Sequence, residues 1–335
     1  MNYFSQLCTT LAFPVALSGL VVGQGAFSMP SGYVSEPLKA NSLNIIGNGL
    51  QESVVDTGFV EKAESNQLTL SEHPKHPRKP LPGNTTYIFE VTSGALGGVI
   101  QEITSDSIQG NVLTTPQDLT ELGLQVSDSF KIRPAQLLSE FCRKASDAIS
   151  RGKDKTDPLA DVIWVPDGQN SYGKYFIRSS DSAVCSMSTG EPVTDVPLIN
   201  PDGLIIQKRG SAASILTLTG AVCTSDVSVV IRPGINMVGT SFPAGATLQN
   251  LGFEESLSSA SSEERSKADS IWVANPQGNF DTFYFNSDTS AWHNSANNNP
   301  APENLFLPSG IIVERRSPKP VNLKLNAPHR SSGGQ

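Results

Sequence analysis

One phrase occurs twice in this chain of 335 residues and restricts what the chain can fold into. Residues 161–165 read DVIWV and residues 269–273 read DSIWV, so near-copies of one stretch hold two of the three tryptophans, Trp164 and Trp272. Three further matches follow in the same order: 175–176 with 284–285, 198–209 with 305–316, and 216–218 with 323–325. Ordered matches with short slips between them indicate a duplicated unit of about 100 residues whose turns vary.

The opening of each unit also recurs and sets the expected boundaries. The phrase IRPGINMVG at 231–239 resembles KIRPAQLLSEF at 131–141 and, more distantly, LKANSLNIIGN at 38–48, so the units number two or three. Five consecutive parts are predicted: an export signal at 1–28, a diverged N-terminal β region at 29–126 with a Pro-rich insertion at 71–83, one β unit at 127–225, a second at 226–328 and a flexible tail at 329–335.

The local patterns within these units favour β-strands. The stretches ILTLTG (215–220) and VNLKLN (321–326) alternate with period two, as half-buried strands do. Gly (28) and Pro (23) are frequent and charged residues make up only 17%, which suits short strands joined by many turns. We therefore expect an all-β fold of sandwich or barrel-like units. Short helical insertions are expected at 134–149 and, with weaker periodicity that a loop would also explain, at 253–270.

The N-terminal segment has the pattern of an export signal. Residues 1–28 carry no charged side chain, residues 7–22 form an apolar run, and Ala26 and Ser28 supply the small residues expected before a cleavage site. An uncleaved membrane anchor and a buried apolar segment are the alternatives, but the run is short for a membrane span. We expect cleavage after Ser28, a location outside the cytoplasm and no stable membrane span in the mature chain.

The net charge, the cysteine spacing and the histidine positions argue against nucleic-acid binding, zinc binding and histidine-based catalysis. The chain is acidic (24 Lys and Arg, 32 Asp and Glu) and has no basic stripe, which argues against nucleic-acid binding. Beyond the signal, Cys142, Cys185 and Cys223 are either buried small apolar residues or include a Cys185–Cys223 disulfide, and their spacing does not suggest zinc. His73 and His76 lie in the Pro-rich stretch, where we expect solvated side chains, with a metal-binding pair as the alternative. His329 lies in the C-terminal tail. We find no nucleophile, metal or phosphate-binding motif, and expect no cofactor.

The repeated residues have both a structural and a functional interpretation. Trp164 and Trp272 lie between β-branched residues, which predicts core positions, with sugar stacking as the alternative. We expect Tyr175 to superpose on Tyr284, and Asp161 and Asp269 to bond at turns or strand starts. Trp292 and His293 lie in the polar stretch TSAWHNSANNNP and are the candidates to face a ligand.

The combined phrases resemble a known family over roughly residues 30–325. The stretches YIFEVTSGALGG and SDSFKIRP, followed by the paired D-x-I-W-V, G-x-N-x-V-G and L-P-x-G-I-I-V-x-R-R phrases, resemble exported proteins found mainly in verrucomicrobial genomes. That family has no assigned activity, so the resemblance implies export and an all-β fold without naming catalytic residues. The chain departs from the pattern at IRPAQLLSEF, and at Cys185, which aligns with Trp292.

Two classes of function follow from these observations. The first is a non-enzymatic exported protein, a structural or surface-associated β module. The second is a carbohydrate-binding or carbohydrate-active module of the cell envelope or the extracellular space. The all-β class and the loop that contains Asn and Trp residues favour this second class. The partners expected are a cell-envelope protein or a glycan. A carboxylate pair for glycoside hydrolysis is defined by its separation in space, so the sequence alone does not identify one.

Overall fold

A computed structural model of the chain describes residues 31–71, 80–83, 85–167, 171–194, 196–242, 244–275 and 277–328. Within these ranges the chain consists of antiparallel strands with two short helices, so the all-β prediction is confirmed. Neither helix has the length or the apolar run needed to cross a lipid bilayer. The expected signal, most of the Pro-rich insertion, the tail, His73, His76 and His329 lie outside the described residues.

The elements fall into four consecutive stretches of the chain. The first holds β1 (Ser31–Leu38), β2 (Ser42–Gly47) and β3 (Leu50–Gln51). The second holds β4 (Asp56–Glu64), β5 (Gln67–Leu70), β6 (Thr86–Val91), β7 (Ile100–Thr104), β8 (Ile108–Gln109), β9 (Val112–Thr114), α1 (Leu119–Leu122) and β10 (Ser129–Pro134). The third holds β11 (Gln136–Leu137), α2 (Leu138–Lys144), β12 (Val162–Pro166), β13 (Tyr172–Ile177), β14 (Val184–Ser186), β15 (Pro197–Leu198), β16 (Gly203–Lys208) and β17 (Ser214–Val222). The fourth holds β18 (Val227–Ile231), β19 (Gly234–Gly239), β20 (Ser270–Ala274), β21 (Phe280–Asn286), β22 (Ala291–Asn294), β23 (Gly310–Arg315) and β24 (Val321–Leu325).

Separate hydrophobic cores divide the described chain into three parts. One core combines residues 38–50 with 138–218, a second lies wholly within 60–132, and a third within 223–327. We call these parts the first unit (β1–β3 with β11–β17), the inserted domain (β4–β10) and the second unit (β18–β24). The chain thus leaves the first unit after β3, builds the inserted domain and returns at β11.

This grouping differs from the boundaries expected from the sequence. The region 29–126 does not stand apart, because β2 pairs with β16 and β1 pairs with β17. The phrase at 131–134 belongs to β10, which pairs with β4 and β6 of the inserted domain. The phrase LKANSLNIIGN is therefore the opening of the first unit, and IRP at 132–134 is not.

The two units have the same strand order in their five-stranded sheets. The order is β14-β13-β12-β16-β2 in the first unit and β22-β21-β20-β23-β19 in the second. Trp164 lies opposite Ile205 and Trp272 opposite Ile312 in matching registers. The tyrosines differ: Tyr175 lies opposite Ile163, whereas the residue opposite Ile271 is Phe283 rather than Tyr284. The expected match of Tyr175 with Tyr284 is therefore one residue out of register.

A buried or half-buried asparagine forms the turn that opens each unit. Asn44 Oδ1 accepts a hydrogen bond from the backbone N–H of Lys39 (2.7 Å), and its Nδ2 donates to the carbonyls of Lys39 and Ile206 (3.2 Å each). Asn236 makes the same three bonds, with the N–H and carbonyl of Arg232 (2.9 and 2.8 Å) and the carbonyl of Val313 (3.3 Å). The asparagine thus satisfies backbone groups where one sheet passes to the other.

The inserted domain is one seven-stranded, barrel-like sheet in the order β7-β6-β10-β4-β5-β9-β8. Its short helix α1 begins at Asp118, whose side chain accepts from the N–H groups of Thr120 and Glu121, and ends at Gly123. Gly123 has a φ of 112°, a left-handed conformation that glycine adopts at helix ends.

The expected helices and disulfide are only partly present. Helix α2 covers the middle of 134–149, but 253–270 contains only 3₁₀ turns at Phe253–Glu255 and Arg265–Lys267. The disulfide alternative is wrong, because Cys142, Cys185 and Cys223 are all buried free thiols. Cys185 lies in β14 of the first unit, whereas Cys223 belongs to the core of the second unit.

Candidate functional site

Asp161 is a fully buried carboxylate immediately before β12. It accepts hydrogen bonds from Lys208 Nζ (2.6 Å) and from the backbone N–H groups of Ser150 (2.7 Å) and Arg209 (2.9 Å). The charge is thereby paired and its oxygens are satisfied, which a buried carboxylate requires. The side chain ties the start of β12 to the end of β16.

Asp269 makes the same arrangement in the second unit. It is ion-paired with Arg315 and accepts from the backbone N–H groups of Ser258 (2.8 Å) and Arg316 (2.7 Å). We call the two arrangements the carboxylate clasps. Both carboxylates are engaged on every side by their own unit, so neither is available to a substrate.

The repeated tryptophans do not lie in the hydrophobic cores, so the prediction of core positions is wrong. Because side chains alternate along a strand, the flanking Ile163 and Val165 point into the core and Trp164 lies on the outer face of the sheet, half-buried. Its ring lies 6.4 Å from that of Tyr172, and Lys174 Nζ lies 3.9 Å from its centroid. An aromatic residue and a cation thus cover part of the ring.

Trp272 has the equivalent environment in the second unit. It is half-buried, its ring lies 6.2 Å from that of Phe280, and its Nε1 donates to Ser270 Oγ (3.0 Å). Ser270 Oγ in turn donates to Glu314 Oε2 (2.8 Å). These bonds hold the indole against the outer face of the sheet.

The outer faces of the two sheets meet at glycines, a contact we call the glycine joint. A Cβ added to Gly310 would lie 2.7 Å from the carbonyl carbon of Ile45, and one added to Gly203 would lie 3.0 Å from that of Met237. The contact is reciprocal, because Ile45 lies opposite Ile205 in the first unit as Met237 lies opposite Ile312 in the second. Gly47 and Gly239 also face each other, with added Cβ atoms 2.7 and 3.0 Å from the opposing Cα. Only glycine permits this approach of the backbones.

Trp292 and His293, the residues expected to face a ligand, are buried, so the expected exposure of this pair is wrong. Trp292 is 4% exposed and packs edge-on against Phe253 and Phe285 in the core of the second unit. His293 points to the other face, where Thr289 Oγ1 lies 2.9 Å from Nε2 and Nδ1 donates to the carbonyl of Asn298 (2.8 Å).

Side chains on both faces of β22 are buried, because a loop covers the outer face of this strand. Tyr284, opposite His293 and fully buried, donates its hydroxyl to Asn298 Oδ1 in that loop. Tyr175, by contrast, packs against the core of the first unit. The polar residues around Trp292 in the sequence belong to the covering loop and do not indicate an open site.

A large cleft between the inserted domain and the first unit is the candidate functional site. Its volume is about 870 Å³, within the range of small-molecule sites. Six of its eleven lining residues carry a hydroxyl group, and one cation and one carboxylate accompany them: Ser31, Ser53, Val54, Val55, Asp56, Thr57, Thr92, Lys131, Ala221, Thr224 and Ser225.

Lys131 and Ser225 form the floor of this cleft and belong to an ion cluster that continues into the buried interior. Glu90 is 0% exposed, its Oε1 lies 2.7 Å from Lys131 Nζ, and it accepts a hydrogen bond from Ser225 Oγ (2.9 Å). Lys131 Nζ also donates to Ser225 Oγ (2.9 Å). Arg133 Nε lies 3.7 Å from Glu90 Oε2, and burial lowers the pKa of this guanidinium while Glu90 raises it.

The cluster resembles a serine–lysine dyad in spacing but not in electrostatics. A lysine base must be neutral to accept the proton of a serine hydroxyl. Here Lys131 Nζ lies 2.7 Å from the buried carboxylate of Glu90 and donates to Ser225 Oγ, while the hydroxyl of Ser225 donates to Glu90 rather than to Lys131. Burial also raises the pKa of the nearby Cys223 thiol, which disfavours the reactive thiolate. The cleft floor is therefore suited to bonding and positioning rather than to nucleophilic chemistry.

A second set of ionisable groups lies where all three parts meet. Burial, followed by the charge of Glu102 in β7, raises the pKa of Asp202 to about 6, while Arg232 opposes the shift. Burial also raises the pKa of Glu102. The adjoining pocket has a volume of only about 70 Å³ and is lined by Tyr172, Asp202 and residues 229–232 and 235–238 among others. Its size leaves room for water but not for a substrate.

Sequence reasoning missed the cleft for a definite reason. Lys131 and Ser225 of its lining, and the buried Glu90 and Arg133 behind them, come from β6, β10 and the linker before β18, and form no motif along the chain. Among the described residues, no group of three or more His, Cys, Asp and Glu side chains is placed to hold a metal ion. No protein-family model, curated protein or solved structure matches the chain.

Proposed function

We propose that the chain is an exported, non-enzymatic protein that acts as a structural or surface-associated β module. The observation that carries the proposal is where the residues shared by the two units lie. The carboxylates of Asp161 and Asp269 form internal clasps, Asn44 and Asn236 form internal turns, and the glycines form the joint. Within the part of the chain that the structure describes, these shared residues maintain the scaffold, and none of them is placed as a reactive group.

The same features favour a passive, rigid module. The glycine joint fixes the orientation of the two units through backbone contact, and the clasps couple the start of β12 to the end of β16 and the start of β20 to the end of β23. The uncharged apolar segment 1–28 supports export. Free thiols buried away from solvent are compatible with an oxidising exterior because they are shielded from disulfide exchange.

Fractionation of a bacterial host that expresses the full chain tests the location. We expect the protein outside the cytoplasm, with mass spectrometry placing the new N-terminus at Met29, and we expect protease added to intact cells to degrade a surface-held fraction. A matched chain without residues 2–28 should stay in the cytoplasm. Recovery of the full chain in the cytoplasm with Met1 intact would overturn the proposal.

The non-enzymatic part has its own test at the cleft. The purified mature chain and its Ser225→Ala variant are incubated with panels of chromogenic glycosides, esters and peptides. No turnover above buffer is expected from either protein. Turnover by the parent that the Ser225→Ala variant lacks would show an enzyme and refute the proposal.

A further inference from the structure

The cleft continues into a second groove along the first unit. This groove has a volume of about 500 Å³ and shares Ser31, Ser53 and Ala221 with the cleft. It adds Gly32, Tyr33, Gln51, Glu52, Thr219 and Gly220 to the lining. We call the continuous surface from Tyr33 to Lys131 the hydroxyl groove.

Gln51 on the wall of this groove has an unsatisfied side-chain amide. The residue is 3% exposed, and neither Nε2 nor Oε1 has a hydrogen-bond partner within the described part of the chain. A buried amide without partners is unfavourable, and such groups are rare in folded proteins. An amide offers a donor and an acceptor side by side, which matches two adjacent hydroxyl groups of a ligand.

Two of the three charged side chains along the groove are ion-paired locally, which favours a neutral ligand. Lys131 is ion-paired with Glu90 (2.7 Å), and Glu52 Oε1 lies 3.2 Å from Lys144 Nζ. A strongly charged ligand would have to compete with these partners. The serine and threonine hydroxyls of the lining can both donate and accept, as can the hydroxyls of a polyol.

Tyr33 supplies an apolar surface at one end of the groove. Its side chain is 73% exposed on β1, opposite Thr219 of β17. An exposed tyrosine combines a flat apolar ring with a polar hydroxyl, so it can cover the apolar face of a sugar ring while bonding at its edge.

From these observations we infer that the hydroxyl groove binds a neutral oligosaccharide. The ligand lies with one sugar over Tyr33, a pair of hydroxyls against the amide of Gln51 and further sugars toward Thr224 and Lys131. This binding goes beyond the structural role proposed above and does not depend on it, because the groove belongs to the mature chain wherever that chain is located.

Isothermal titration calorimetry on the mature chain tests the inference. The probes are cellohexaose, maltohexaose, chitohexaose and xylohexaose, with hexagalacturonate and hexalysine as charged probes. We expect at least one neutral hexasaccharide to bind and the charged probes not to. Tyr33→Ala should weaken the binding at least tenfold, and Thr224→Trp, which fills the cleft from an exposed position, should abolish it. Phe306→Ala, an exposed aromatic outside the lining, is the matched control and should bind like the parent.

Gln51→Leu separates a binding role from a structural one. Removing an amide that has no partners should leave the urea midpoint unchanged or raise it, while the affinity falls at least tenfold. A fall in the midpoint with unchanged affinity would assign Gln51 to the scaffold and contradict the inference. The inference is also overturned if no neutral probe binds, if a charged probe binds preferentially, or if Tyr33→Ala and Thr224→Trp bind like the parent.

Discussion

Replacing Gly310 with alanine measures the energetic role of the glycine joint. The new Cβ would lie 2.7 Å from the carbonyl carbon of Ile45, whereas ordinary contacts begin near 3.4 Å, so the two backbones must separate by about 0.7 Å. Overpacking of this kind costs about 1–3 kcal/mol, and we expect the upper end because backbone cannot rotate away as a side chain can. With a urea dependence of about 2 kcal/mol per molar, the midpoint should fall by roughly 1.5 M.

A graded series of glycines supplies the controls. Gly203→Ala should cost less, since its nearest backbone contact would be 3.0 Å. Gly210→Ala should cost nothing or stabilise slightly, because its Cβ would meet no described atom within 4 Å and its φ is not positive. Tryptophan fluorescence follows the unfolding, since Trp164 lies two strands from Ile45 in the same sheet. Equal midpoints for Gly310→Ala and Gly210→Ala would refute the joint.

Three other substitutions test the clasps, the core and the three-part junction. Asp269→Asn should lower the free energy of unfolding by about 3–5 kcal/mol, because the buried guanidinium of Arg315 loses its counter-charge; an unchanged urea midpoint would contradict the clasp. Trp292→Ala should cost about 3–5 kcal/mol through lost burial and a cavity, and the half-buried Trp272→Ala should cost less; the reverse order in urea would disprove the burial described. For Asp202, a pKa raised to about 6 means that the folded state binds the proton more tightly than the unfolded state. Stability of the parent therefore rises as the pH falls through about 6 toward 4, and Asp202→Asn should be more stable than the parent by up to about 3 kcal/mol at neutral pH and lose that advantage in acid. Parallel pH profiles of the unfolding midpoint for the parent and this variant would refute the assignment.

The strands were predictable where the local pattern is strong. The stretches 203–209 and 310–316 each begin with a glycine turn and carry a β-branched run, and they became β16 and β23. The alternating stretches 215–220 and 321–326 became parts of β17 and β24. Alternating side chains are buried along β17 and β24, whereas β16 and β23 are buried on both faces. In all four segments the intrinsic strand preference agrees with the observed strand, so neighbouring structure does not change the outcome.

The burial of the tryptophans was not predictable from the same patterns. Alternation places Ile163 and Val165 on one face and Trp164 on the other, but it does not say which face meets the core. The residues that surround Trp292 in the sequence are polar because they belong to the loop that covers His293. The contact between this loop and His293 is a tertiary contact, which the local pattern does not show. The cleft was hidden for a related reason, since its residues come from separate elements.

The inserted domain was missed because strand pairing over long separations leaves no local trace. Periodicity shows that 42–47 and 203–208 are strands, but not that they pair with each other. The match between LKANSLNIIGN and IRPGINMVG indicates where the first unit begins, since the same asparagine turn opens both units. The sequence alone makes this match the start of a third unit, because nothing in residues 52–135 marks them as an insertion into the first unit.

The wide separation of the strands of the first unit has a consequence for the order of folding. Ser35 on β1 hydrogen-bonds to Thr217 on β17, 182 residues later. During synthesis the inserted domain can close as soon as β10 emerges, whereas β1 has no partner until β17 is made. Closing so long a loop is slow, and an unpaired strand is prone to associate with other chains in the meantime. While residues 135–222 are being made, the chain therefore has a folded middle and an open first unit, a state that a folding helper or an export pathway can hold before β1 and β17 meet.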